Sequence, residues 1–177
     1  DNIPVVGASH VVNISAPRTF KLEAENRYGS RKSNSLVLVE STGIVRISEF
    51  LAANDNGLID EYGDSSDWLE VENPGDTVVD LSDWYLTDDP DALRKWIFPS
   101  GTTLTPFSRL LVRASGRGAT APKGELHTNF KLGSDKNGFL AILHKDGSFG
   151  NYYYPYPKQH TDFSYGLDAT TQSAFFA

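Results

Sequence analysis

Cysteine is absent from the 177 residues, which excludes disulfides, thiolate metal sites and cysteine nucleophiles together. The compartment stays open, because a chain of this size buries enough core to manage without disulfides on either side of a membrane. Methionine is absent too. The chain opens on Asp1-Asn2-Ile3-Pro4 with no signal peptide, as expected of a piece of something longer. No run of about 18 apolar residues exists, so no membrane insertion is expected. Basic residues are missing from one long stretch: residues 47–93 hold fourteen Asp or Glu and no Lys or Arg. A surface of that sign attracts cations and repels phosphate backbones, which argues against nucleic acid as a partner. Helical patterning is missing as well, since no amphipathic segment of three turns can be found.

Catalytic signatures are equally scarce. There is no Gly-x-Ser-x-Gly turn, and Gly116-Arg117-Gly118 lacks the further glycine and Lys-Thr of a phosphate loop. The four histidines, His10, His127, His144 and His160, show no metal-type spacing, and His127 is expected to hydrogen-bond inside the fold. No pair of carboxylates stands out from the acidic background as a glycosidase pair would.

What the chain does contain is short strands. Between residues 67 and 102 apolar and polar residues alternate in strand-length runs punctuated by Asn73-Pro74-Gly75 and Asp88-Asp89-Pro90, and all three tryptophans lie there. Antiparallel strands are expected at Asp67-Trp68-Leu69-Glu70, at residues 81–88 and at residues 95–102. Others are expected at residues 44–50, 109–114, 127–132 and 139–143, the last followed by an Asp146-Gly147 hairpin turn. The loop at residues 115–124 is expected to be exposed and mobile. Ahead of these, residues 19–26 alternate without a slip, Tyr28-Gly29-Ser30 turns, and residues 35–39 run apolar, which predicts a hairpin. An isolated hairpin is marginal in water. The expected division is therefore 1–42, closing strands of another domain or an extra hairpin, and 43–177, an all-β antiparallel sandwich.

Residues 19–39, with Ala24-Glu25-Asn26 before the turn, resemble the last strands of bacterial immunoglobulin-like or fibronectin-type repeats. The larger part resembles the bacterial lamin-tail domain. The likeness rests on Ile47-Ser48-Glu49-Phe50, Asp67-Trp68-Leu69-Glu70, Asn73, Leu81-Ser82-Asp83-Trp84-Tyr85-Leu86-Thr87-Asp88 and Lys95-Trp96-Ile97-Phe98-Pro99-Ser100-Gly101-Thr102. Ala114-Ser115-Gly116, His127-Thr128-Asn129-Phe130-Lys131-Leu132 and Asp162-Phe163-Ser164-Tyr165-Gly166 follow in the family's order. The resemblance implies an immunoglobulin-like β-sandwich that serves as an interaction module and brings no catalytic residues. In bacteria such domains accompany immunoglobulin-like repeats, and sometimes nuclease or kinase-like domains, in large exported or surface proteins. The chain stops at Ser173-Ala174-Phe175-Phe176-Ala177, before the proline-rich end usual in the family, so a cut boundary is expected there. In animal lamins the domain meets chromatin and envelope partners, a role at odds with the acidic surface here.

Three groups of side chains invite a site. Residues 54–67 present Asn54, Asp55, Asn56, Asp60, Glu61, Asp64 and Asp67, with Gly57 and Gly63 to curl the backbone. Hard oxygen ligands of this kind suit Ca2+, yet placing Gly57 at the sixth position of the helix-loop-helix template puts Ala52 first and Gly63 twelfth, without the end carboxylates. A solvated acidic loop and a calcium site are both readings of it. Asp88, Asp89 and Asp91 read as a turn whose side chains cap amides. Trp84, Tyr85 and Trp96 offer a stacking platform for sugar rings, although Trp68, Trp84 and Trp96 fit a sandwich core better. Tyr152, Tyr153, Tyr154 and Tyr156, held extended by Pro155 and Pro157, form a candidate surface for ligand.

The expectation is a non-catalytic interaction and spacing module of a larger exported or cell-surface bacterial protein, located outside the cell or on its surface. Its partners would be protein, a cell-surface polymer or neighbouring domains of the same chain, with no required cofactor. Two alternatives remain: a calcium-dependent carbohydrate-binding or adhesion module, and an accessory domain of a secreted enzyme.

Overall fold

In the computed structural model, residues 18–26, 29–37, 45–118, 120–135, 137–168 and 174–177 are described, and none of them is helical. The chain divides into two compact units, Asp1–Ser41 and Thr42–Ala177. In the first, β1 (Arg18–Asn26) pairs antiparallel with β2 (Gly29–Val37) from Arg18↔Val37 to Asn26↔Gly29. The second strand thus begins six residues earlier than its apolar run. Tyr28 of the expected turn, and Leu38 and Val39, lie outside the described residues.

The second unit continues with β3 (Arg46–Leu51), β4 (Asp67–Glu72), β5 (Val79–Asp80), β6 (Tyr85–Thr87), β7 (Trp96–Ile97) and β8 (Thr103–Leu104). Then come β9 (Arg109–Ala114), β10 (Leu126–His127), β11 (Gly138–Leu143), β12 (Phe149–Tyr156), β13 (Tyr165–Leu167) and β14 (Ala174–Phe176). A six-stranded sheet has the order β10-β9-β4-β3-β13-β14 and a four-stranded sheet the order β12-β11-β6-β7, while β5 and β8 form a separate pair. The fold is an all-β immunoglobulin-like sandwich. Its core forms where alternate residues of the two sheets meet: Ile47, Phe50, Leu69, Val71 and Val112 from one, Leu86, Leu140 and Ile142 from the other, all 0% exposed. Trp68, Trp84 and Trp96 are buried as expected, Trp84 and Trp96 within this core cluster.

The sheets are tied at a bulge. The register of β3 against β4 slips between Ile47 and Glu49, so Ile47 is left with backbone groups that need other partners. The buried Asn151 amide supplies them, accepting from Ile47 N at 2.8 Å and donating to Ile47 O at 2.9 Å.

Four expectations need correction. Residues 81–84 are a turn rather than strand: Trp84 N donates to Leu81 O at 3.0 Å and Asp83 is left-handed at φ 64°. Residues 95–102 give only the two residues of β7 before Pro99 and the left-handed Gly101 interrupt the ladder. The stretch at 127–132 is strand only at its start, in β10, and that strand runs parallel to β9. Its continuation is fastened to the 115–118 loop by Gly118 N to Thr128 O and Gly116 N to Phe130 O, both 3.0 Å. That loop region is not wholly exposed either, since Ala121 is buried and Lys123 N is held by the Glu61 carboxylate at 2.8 Å.

Candidate functional site

The acidic loop between β3 and β4 is organised from within. Asn54 and Asp60 are buried. Asn54 donates to Leu58 O at 2.8 Å and Ser66 O at 2.9 Å and accepts from Gly57 N at 2.9 Å. Asp60 accepts from the amides of Tyr62 and Asp64 and from the Ser66 hydroxyl, at 2.7–3.0 Å. Asp67 accepts long bonds from Asn54 N and Leu132 N. Asp55 and Asn56 instead offer their amides to the carboxylate of Asp162, at 2.7 and 2.9 Å, and the exposed Asp64 pairs with Arg117. The oxygens that sequence spacing groups together therefore mostly serve amides of their own loop. Among the described residues, no three His, Cys, Asp or Glu side chains gather in the manner of a cation cage.

Two carboxyls of this loop titrate in opposite directions. Burial pushes Asp60 up, but the Ser66 hydroxyl and the two amides outweigh it and hold the group below its ordinary value. Burial dominates at Asp67 and raises it. A depressed carboxyl stabilises the fold fully above its unfolded value and loses that contribution as pH falls through the folded one. Asp60→Asn is therefore expected to melt about 3–6 °C below wild type at pH 7, with the gap closing as the pH drops below about 4. Thermal melts from pH 3 to 7 measure it, and a gap independent of pH would mean that the charge contributes nothing.

Three residues that sequence reasoning passed over brace the loop from below. Arg113, almost fully buried, donates to Leu58 O at 3.2 Å, Ile59 O at 3.0 Å and Glu125 Oε1 at 2.9 Å. Glu125 accepts from Glu61 N at 2.7 Å and Asp162 clasps the loop's start. Each lies at least 50 residues from the backbone it holds, beyond the reach of any local pattern. Behind Glu125, the fully buried His127 shares a 2.8 Å hydrogen bond between Nδ1 and the Ser115 hydroxyl, and its Nε2 sits 3.8 Å from Glu125 Oε2. A cavity of about 460 Å³ opens beside Ser115, Arg117 and Lys131. The order serine, histidine, carboxylate looks catalytic, but the parts for acyl transfer are not in place. The amides of Gly116 and Gly118 are engaged by Phe130 O and Thr128 O, that of Arg117 by Ser115 Oγ, and the imidazole has no exposed surface.

The tyrosine run does not present a single surface. On β12, Tyr153 and Tyr156 turn inward, 8% and 2% exposed, and Tyr156 packs on Phe50 and donates to Gly133 O at 2.8 Å. Burial pushes the Tyr156 phenol up to about 12. Tyr152 is half-buried and Tyr154 is 59% exposed, both on the opposite face. There they join an apolar strip on the outside of the four-stranded sheet. Leu143 is flanked by Tyr85 of β6 and Phe149 of β12, Ala141 by Thr87 and Tyr152, and the Phe139 ring meets Tyr154 at 5.7 Å. Arg94 reaches over the Tyr85 ring at 5.3 Å. Of the expected sugar platform, Tyr85 lies on this face while Trp84 and Trp96 belong to the core. An outer sheet face is ordinarily polar, so this strip is the candidate contact site.

Compared with known families, residues 39–149 match the lamin tail domain, a stretch that takes in all three tryptophans, the acidic loop and β3 through β11. No curated protein matches the chain. With that match extending over more than half of its length, the chain belongs to the lamin tail domain family.

Proposed function

We propose that this domain is a non-catalytic interaction module of a larger exported or cell-surface bacterial protein, and that it meets a partner protein through the outer face of the four-stranded sheet. The observation that carries the reading is that Tyr85, Phe149 and Tyr152, half-buried, and Tyr154, exposed, keep ring surface in water around a second, buried apolar cluster of Phe139, Ala141 and Leu143. Ring geometry favours protein over polysaccharide. Phe139–Tyr154 and Phe149–Tyr152 are each inclined by 67°, so neighbouring rings meet edge to face and do not make one flat stacking surface. Aromatic side chains with polar tips suit a half-wet protein interface.

The test is a photoreactive benzoylphenylalanine placed at Tyr154, with the same group at the exposed Asp91 as control, in a bacterium producing the parent protein. A protein adduct formed from Tyr154 alone, lost on Tyr152→Arg, and found in the extracytoplasmic fraction is the expected result. Equal adducts from both positions, or retention on insoluble cellulose, chitin or peptidoglycan abolished by Tyr152→Ala, would overturn it.

A further inference from the structure

Thr105-Pro106-Phe107-Ser108 is a four-residue turn closed by Ser108 N to Thr105 O at 3.3 Å. With proline second and a left-handed residue third it has the type II form, whose third position is normally glycine or asparagine. Here that position holds Phe107 at φ 53°. A bulky side chain is disfavoured in this backbone, and such strain persists where something else compensates for it. The ring itself gains little from the fold, because Phe107 is 73% exposed, the most exposed large apolar side chain among the described residues. The backbone is nonetheless held in place, Phe107 N donating to Gly75 O at 3.1 Å in the loop between β4 and β5. The pairing Val79↔Leu104 leads Val78, 61% exposed, toward the same turn. The exposed Asp76 gives the surroundings a negative charge, whereas Asp80 feels the charge of Lys145, and Arg109, just past the turn, is paired with Glu70 and Glu72.

We propose that Phe107, with Val78 beside it, is an anchor for a partner protein that offers an apolar socket rimmed by Lys or Arg. A rigidly presented aromatic ring is the usual centre of an interface, and the exposed Asp76 favours a rim of opposite charge. This surface lies on the β4–β5 and β8–β9 loops and does not depend on the reading of the outer sheet face.

The probe is a random peptide phage library panned against the 177-residue chain, with the Phe107→Gly chain as counter-selection. Enriched peptides are expected to combine apolar residues with Lys or Arg. Synthetic versions should bind at least tenfold more weakly to Phe107→Gly and to Phe107→Ala, two- to threefold more weakly to Asp76→Asn, and less well as salt rises, about the loss of one anchor and one screened charge. Phe107→Gly should meanwhile melt about 2–4 °C above wild type, because glycine relieves the turn. Enrichment of neutral or acidic peptides, or none that discriminate the two chains, overturns the proposal. So does a lower melting temperature for Phe107→Gly, which would give the ring a role inside the fold. Dimerisation in sedimentation, or binding to phosphatidylglycerol vesicles, that Phe107→Gly abolishes overturns it in favour of a second copy or a membrane.

Discussion

Gly166→Ala is expected to destabilise the Thr42–Ala177 unit by about 3 kcal/mol or more, lowering its melting temperature by roughly 6–12 °C. Gly166 sits in β13 opposite Glu49 of β3, beside the bulge at Ser48. A Cβ built there would lie 2.5 Å from Ser48 O and 3.0 Å from Glu49 Cα. Both obstacles are backbone, so no side-chain rotation relieves the contact. The strand must move away, and β14, which hangs on β13, must move with it. Gly63→Ala is the control: its φ of 87° makes any side chain unwelcome, but nothing lies within 4 Å of the new Cβ. Backbone strain alone should cost about 1 kcal/mol there. Urea melts of the two variants measure the difference, and equal losses would mean that close approach of β13 to β3 does not decide the effect.

Asn73→Ala should cost about 2–4 kcal/mol, and Asn73→Asp more than that at neutral pH. Asn73 is fully buried where the β4–β5 and β8–β9 loops meet. Its amide donates to Thr77 O at 2.8 Å, Thr105 O at 3.0 Å and Leu104 O at 3.3 Å, and accepts from Gly75 N at 3.0 Å. Alanine takes the side-chain partner from Thr77 O, Leu104 O and Gly75 N, while Thr105 O keeps the amide and hydroxyl of Ser108. Aspartate keeps the acceptor for Gly75 but turns a buried negative oxygen toward carbonyls, which raises its folded-state pKa. The sign follows: a raised carboxyl stabilises the fold only while protonated and loses that contribution as pH rises through the folded value. Asn73→Asp should therefore recover toward Asn73→Ala as the pH falls from 7 to 4 in thermal melts. An aspartate variant as stable as alanine at pH 7 would show that the amide protons are not what the site requires.

Both predictions concern residues whose importance depends on distant partners, and the same division runs through the molecule. The strands at Arg46–Leu51, Asp67–Glu72, Arg109–Ala114 and Gly138–Leu143 were legible because alternation is a local property of the chain. The burial of the three tryptophans was legible from the bulk of their rings, although Trp84 precedes its strand and Trp68 alternates away from Leu69 and Val71 of the core. Leu81-Ser82-Asp83-Trp84 alternates equally well, and there the pattern misled. Asp83 tolerates a left-handed backbone, so the stretch closes as a turn and only Tyr85–Thr87 joins the sheet.

The faces of β12 were beyond local reading. Its pairing with β11 slips at both ends, between Gly138 and Leu140 and between Ile142 and Leu143. A slip reassigns which tyrosine faces which side, and so decides whether a ring is core or contact surface. Ring packing on glycine works the same way: the Tyr156 ring lies across Gly138, where a Cβ would come within 1.9 Å of it.

By itself the sequence determined the class of this protein: an all-β chain, acidic over residues 47–93, with a buried tryptophan set and an ordered series of motifs that belongs to the lamin tail domain. Those properties are carried by composition and by spacing of a few residues, which any stretch of chain shows unaided. Tertiary structure alone decided that Asn54 and Asp60 brace their own loop, that Arg113, Glu125 and Asp162 hold it from far along the chain, and that Tyr152 and Tyr154 face outward while Tyr153 and Tyr156 do not. The reason is physical. A carboxylate or a ring has no role until its neighbours are chosen, and in an antiparallel sandwich those neighbours are set by register and by strands brought together from opposite ends of the chain.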